Sequence, residues 1–212
     1  YKIDDVDYSY LPDEIKCNFI SLDILFICLP NDLVAYLRNI FSKSNILIDK
    51  IICSSYVKSI NYKDNLNLTG HVSFIDVGFN KTSVVFYLDD KILSLDVLPI
   101  GGNHITKDIS KILKIDLQRS EKIKINFDKN HKYFNGEDIS AEMIQKIIFA
   151  RTEEILELCA KSIDSNSLML GELKMVLMGE GSKILDSKNK DQIFFSNDVD
   201  FLEETLKDIC QS

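Results

Sequence analysis

The sequence has no C-x-x-C pair, no apolar run long enough to cross a bilayer and no surplus of positive charge, and each absence removes a class of function. Its five cysteines, Cys17, Cys28, Cys53, Cys159 and Cys210, are odd in number and widely scattered, which points to neither a disulfide framework nor a zinc site and suits a reducing cytosol. The apolar stretch 19–30 falls short of the roughly 18 residues that a spanning helix needs, and Ser21 and Asp23 interrupt it. With 33 acidic against 25 basic side chains the net charge is −8, so the clustered Lys and Arg that neutralise nucleic-acid phosphates are missing and no nucleic-acid partner is expected. His104 and His131 have no Cys or carboxylate at ligand spacing, so they read as surface or packing residues. There is no internal repeat and no low-complexity tract. The chain opens at Tyr1 without an initiator Met, which predicts a piece of a longer protein. What remains is 212 residues with 45% hydrophobic content, enough to bury the core of one large or two small domains.

The hydrophobic rhythm divides the chain. Residues 19–29 are mostly aliphatic and predict a strand. Asn31 and Asp32 then cap a helix to Phe41, with Leu33, Val34, Leu37, Ile40 and Phe41 as its apolar stripe. Residues 46–52 predict a second strand and 54–60 a short helix, together implying a β-α-β crossover. The polar, turn-rich stretch 64–70 marks a boundary between two halves. Beyond it, 71–77, 82–88 and 92–98 read as an antiparallel meander with Asp89-Asp90 as a turn. Helices are predicted over 103–113 and 117–124, and a small hairpin turns at Asn135-Gly136. The longest helical pattern, 140–162, carries Ile144, Ile148, Ile155 and Cys159 on one stripe, with Ser140 as cap and Glu142 in the first turn. A buried strand over 173–178 leads to Gly179-Glu-Gly-Ser182 and a short helix, with 192–195 as a last strand.

Three glycine-bearing segments carry the chemistry. An apolar strand runs into Asp76-Val-Gly78-Phe-Asn80-Lys81-Thr82, a turn whose amides could cradle a phosphate while Asp76 holds Mg²⁺ through its water shell. Asp-x-Gly at a strand end is by itself more often a plain turn. About twenty residues on, Gly101-Gly102-Asn103 precedes a helix carrying Thr106 and Asp108; Asn103 is an N-cap in either reading. Glu121 and Lys124 share a helix face, suited to a ribose and base edge or to a solvated ion pair.

The order and spacing of these segments resemble the bacterial actin-like division protein family FtsA. The string Gly101-Gly102-Asn103-x-x-Thr106-x-Asp108-Ile109 is similar to the family's at all its fixed positions. Arg119-Ser-Glu121-x-x-Lys124, Ile148-x-x-Arg151-x-Glu153-Glu154-Ile155, Val176-Leu-Met-Gly179-Glu-Gly181-Ser182 and the Cys53-Ser-Ser-Tyr56 helix resemble further family segments. The resemblance implies an actin-like, ribonuclease H-like α/β ATPase fold, present in part. Residues 1–63 would be a remnant of the first half (the end of its inserted subdomain and a core strand and helix). Residues 70–112 and 166–212 would be the core of the second half, and 113–165 its smaller subdomain. It implies a nucleotide site of Asp76, Gly78, Asn80, Lys81, Thr82, Gly101, Gly102, Asn103, Glu121, Lys124, Gly179, Gly181 and Ser182, with ATP and Mg²⁺ as cofactors. It also implies docking of the tail of the tubulin-like protein FtsZ within 113–165, self-association into filaments, and a cytoplasmic protein peripheral at the membrane.

Departures from the family pattern bear on activity. Phe79 replaces a glycine, at a cost of about 1–2 kcal/mol if that position needs positive φ. Lys81 offers a charge to a phosphate or is a solvated hairpin residue, Ser83 removes a carboxylate, and Glu180 adds an anion. Together they predict an ATP site that binds loosely or not at all, and at most a weak ATPase. The loop 128–138 is shorter than the family's. The acidic, weakly amphipathic stretch 201–209 disfavours anionic lipid and reads as a helix of the fold, leaving membrane contact to a segment outside this chain. A type IV pilus actin-like protein shares the Asp-x-Gly hairpin but not the Gly-Gly-Asn string. A sugar or acetate kinase of the superfamily would need a catalytic aspartate amid sugar-binding polar residues, and no such cluster is present.

Overall fold

The computed structural model describes residues 2–8, 11–22, 24–127, 139–164, 173–184 and 193–195. The hairpin at Asn135-Gly136, His131, Cys210 and the helix expected over 201–209 lie outside them.

At the start of the chain three two-residue strands, β1 (Lys2–Ile3), β2 (Val6–Asp7) and β3 (Ile20–Ser21), pair antiparallel in the order β2-β1-β3. Of the strand expected over 19–29 only β3 forms, and 46–52 forms none, so the expected β-α-β crossover is absent among the described residues. An aliphatic run becomes a strand only where a neighbour's N–H and C=O groups pair with it, and a run alone does not reveal that neighbour. The helix α1 (Asn31–Ser42) covers the predicted span, yet none of its residues is buried and no side chain caps it. Leu33, Ile40 and Phe41 of its apolar stripe are exposed, as are Phe26 before the helix and Leu47 after it.

From α2 (Ser54–Asn65) onward the chain builds one packed unit. β4 (His71–Val77), β5 (Thr82–Leu88) and β6 (Lys91–Leu98) form the expected antiparallel meander, in register His71↔Leu88 to Val77↔Thr82 and Thr82↔Leu98 to Leu88↔Lys91. The chain then forms α3 (Gly102–Leu113), α4 (Leu117–Ile125) and α5 (Ala141–Asp164). It returns as β7 (Leu173–Met178), parallel to β4, with β8 (Ile193–Phe195) parallel to β7, giving the order β6-β5-β4-β7-β8.

Alternation along the strands sorts the two faces. Ile75, Val77, Val84, Phe86 and Leu177 pack on Ile155, Cys159 and Ile163 of α5. Val72, Phe74, Val85, Tyr87, Val176 and Met178 pack on the opposite face, with Tyr62 of α2 against them. A third cluster, Ile105, Ile109, Ile123, Ile144, Ile147 and Ile148, joins α3, α4 and the first half of α5. The sheet is thus covered on both faces, as a parallel pair in its centre requires. Side chains as fully buried as Phe74 and Phe86 are each worth about 3–5 kcal/mol against alanine.

Candidate functional site

β4 and β7 run parallel, and their carboxyl ends lie side by side at Asp76 and Met178. In open α/β sheets this is the end where loops leave the strands and ligands bind. Here all three glycine-bearing turns meet, and close backbone approach is the reason for the glycines. A Cβ on Gly101 would lie 2.5 Å from the Gly78 carbonyl oxygen and 2.9 Å from the Phe79 oxygen and the Lys81 nitrogen. On Gly179, whose φ is +86°, it would lie 2.4 Å from Asp76 Oδ1, and on Gly181 2.7 Å from Val77 O. The turn after β4 is therefore packed against the start of α3 on one side and the turn after β7 on the other.

Hydrogen bonds close the same junctions. Gly78 N–H donates to Lys81 O at 2.9 Å, forming the hairpin turn. The first amides of α3 donate into it, Gly102 N to Gly78 O at 3.0 Å and Asn103 N to Phe79 O at 2.7 Å. Gly101 N–H donates to His104 Nδ1 at 3.1 Å, and His104 N–H back to Gly101 O at 2.9 Å. The amides that a bare helix start would offer an anion are therefore already engaged. Phe79 and Asn80 have no hydrogen-bond acceptor for their own amides among the described residues, and both residues are exposed in the turn after β4. Asn103 Nδ2 donates to Asn80 Oδ1 at 2.9 Å, and buried Thr82 donates to Ile100 O at 2.7 Å. Lys81 and Glu180 are exposed, while Ser182 is buried and donates to Gly179 O at 2.7 Å. Phe79 is exposed and is not among the residues with positive φ, so the strain that its replacement of glycine would bring does not arise.

Asp76 is 8% exposed on the α2 face of the sheet. Its carboxylate accepts from Lys58 Nζ at 3.0 and 3.2 Å and from Ser55 Oγ at 3.2 Å, both on α2. A buried carboxylate needs such a counter-charge, and with a lysine ammonium on both its oxygens it does not fit Mg²⁺ as a partner as well. Among the described residues no three His, Cys, Asp or Glu side chains gather into a metal site either.

Glu121 and Lys124 pack on the first turn of α3. Lys124 is 5% exposed, and its ammonium donates to Gly102 O at 3.1 Å, Thr106 Oγ1 at 2.8 Å and Glu121 Oε2 at 2.7 Å. These account for all three of its protons. Thr106 also donates to Glu121. Burial pushes the Glu121 carboxyl up, but the hydrogen bonds from Lys124 and Thr106 and the Lys124 charge outweigh it and hold the group below the ordinary carboxylate range. The pair is thus an internal clasp between α4 and α3 rather than a solvated ion pair. Asp108 and Arg151, read from the sequence only as parts of motifs, form a two-pronged bond between α3 and α5, Nε to Oδ2 at 2.6 Å and Nη2 to Oδ1 at 3.0 Å. That bond raises the Arg151 guanidinium further above its ordinary value.

Every residue assigned to the site from the sequence lies in this one continuous contact region. Ser55 and Lys58 belong to it too and were missed; their i,i+3 spacing on the helix expected over 54–60 placed them on one face, but nothing local paired that face with Asp76.

Comparison with known proteins agrees with this architecture. A family model of cell division protein FtsA matches residues 73–171. Cell division protein FtsA of Buchnera aphidicola is 30% identical over 133 residues, 55% of this chain and 31% of that protein. The Streptococcus pneumoniae protein is 26% identical over 172 residues, 74% of this chain and 37% of the other. The chain thus spans about a third of the length of these curated relatives. Among solved structures, ADP-bound MreB5 of Spiroplasma citri superposes with a TM-score of 0.65 at 17% identity, over 86% of this chain and 66% of that one. A PilM-PilN type IV pilus biogenesis complex superposes with a TM-score of 0.63 at 19% identity, over 81% and 48%. Likeness at such identities speaks for the fold, and the sequence matches speak for the lineage: the fold is actin-like, and the chain is related to the cell division protein family FtsA through residues 73–171.

Proposed function

We propose that this protein is a division adaptor of the FtsA type, tethering FtsZ filaments at the cytoplasmic face of the membrane through a segment outside this chain. The observation that carries the reading is the match to the FtsA family over residues 73–171, a span that takes in all three helices of the α3-α4-α5 cluster. In this reading 1–63 is what the chain holds of the first actin-like half. Residues 70–112 and 166–212 form the core of the second half, and 113–165 is the smaller subdomain that receives the FtsZ tail. The convergence of three glycine turns at the carboxyl ends of β4 and β7 supports a nucleotide site, with the Phe79 and Asn80 amides as its phosphate donors.

That site is weakened. The amides at the start of α3 and the protons of Lys124 are engaged within the protein, which leaves ATP few donors and the protein at most a weak ATPase. Nucleotide then tunes self-association and docking rather than driving chemistry. The test is pelleting with FtsZ filaments: co-sedimentation of the folded protein supports the adaptor role, and its absence with FtsZ polymer in the pellet overturns it.

A further inference from the structure

We propose that Lys58 is a built-in cation at the phosphate turn, holding the position beside Asp76 that a divalent metal would otherwise take, so that a nucleoside di- or triphosphate binds here without Mg²⁺. The inference rests on the nucleotide reading of the site. Its basis is the geometry around Asp76. The carboxylate sits at the end of β4, two residues before Gly78, with Lys58 Nζ at 3.0 and 3.2 Å from its two oxygens and Ser55 Oγ at 3.2 Å. The backbone of Gly179 lies so close to Oδ1 that a Cβ there would stand 2.4 Å away, which closes that side to an approaching ion. The carboxylate cannot readily turn toward another cation, because α2 and the turn after β7 hold it from both sides.

The charge balance supports the same assignment. A bare carboxylate at the floor of a phosphate site repels its ligand, and a metal ordinarily cancels that repulsion. The Lys58 ammonium cancels it without one. Its side chain is 24% exposed against 10% for Asp76, so the cation lies nearer the solvent than the charge it neutralises.

The test is titration of a fluorescent ADP, with excess Mg²⁺ and again in EDTA, against the wild-type protein, Lys58→Met and Lys58→Arg, each checked for folding by its thermal melt. Wild-type affinity should agree between the two conditions within about twofold, and Lys58→Arg should behave alike. Lys58→Met should lose about tenfold in EDTA, roughly the effect of removing one charge-assisted contact, and recover with Mg²⁺. Mn²⁺ titration followed by electron paramagnetic resonance, without nucleotide, should show binding to Lys58→Met and none to the wild type. Wild-type binding that collapses in EDTA overturns the inference and leaves the nucleotide reading standing. Unchanged Lys58→Met affinity in EDTA also overturns it, reducing Lys58 to a tie between α2 and β4. No binding of ADP under either condition removes the nucleotide reading and this inference with it. If Lys58→Met does not fold, the wild-type comparison between Mg²⁺ and EDTA decides alone.

Discussion

Replacing Gly101 by alanine tests the junction on which the site is built. The backbone there is extended, with φ −169°, so alanine adopts it without conformational penalty and any cost is steric. The added Cβ would stand 2.5 Å from Gly78 O and 2.9 Å from both Phe79 O and Lys81 N, all backbone atoms of a hairpin turn that cannot swing aside. Forcing a methyl group into such a contact costs about 1–3 kcal/mol. Separating the two turns also weakens the bonds from Gly102 N and Asn103 N, now 3.0 and 2.7 Å long. At about 1 kcal/mol each, their partial loss brings the expected destabilisation to roughly 2–4 kcal/mol. Gly70 is the control, because a Cβ there meets nothing within 4 Å but φ is +82°. Gly70→Ala should therefore cost only about 1–2 kcal/mol, through backbone conformation alone. Urea denaturation of both variants measures the difference. A Gly101→Ala loss below about 1 kcal/mol, or one no larger than that of Gly70→Ala, would refute the close-packed junction.

Two further outcomes follow from the ion pairs around α3. Arg151→Met should destabilise the fold by about 1–3 kcal/mol, and a double-mutant cycle with Asp108→Asn should show coupling of at least about 0.5 kcal/mol, since the two-pronged bond ties α3 to α5 beside their shared apolar cluster. The Glu121 carboxyl is held below its unfolded value of 4.5, so its contribution to stability is present above that pH and is lost as pH falls through the lower folded value. Denaturation midpoints measured across the acid range should fall less steeply in Glu121→Gln than in the wild type; equal slopes would contradict the clasp.

Much of the second part of the fold was legible because its signals are local. The meander over 71–98 announced itself by two-residue alternation and by Asp89-Asp90. The stripe Ile144, Ile148, Ile155 and Cys159 is buried as its helical spacing required. The strand expected over 46–52 failed because pairing is not a local property, and that segment pairs with no strand among the described residues. The same distinction holds at the site. Glycines before a helix and after strands were visible as candidates, but their purpose, three backbones within contact of one another, exists only in three dimensions. Lys124 reads as a surface lysine by spacing, and its burial came from the packing of α4 on Gly102. Lys58 and Asp76 lie 18 residues apart, on different elements, so no motif linked them.

The central claim is that this chain docks a division partner, and the most direct measurement is fluorescence anisotropy of a labelled FtsZ C-terminal peptide titrated with the folded protein, with and without ATP. The account predicts saturable binding in the micromolar range, about −8 kcal/mol, that persists without nucleotide. A flat titration under both conditions would contradict it.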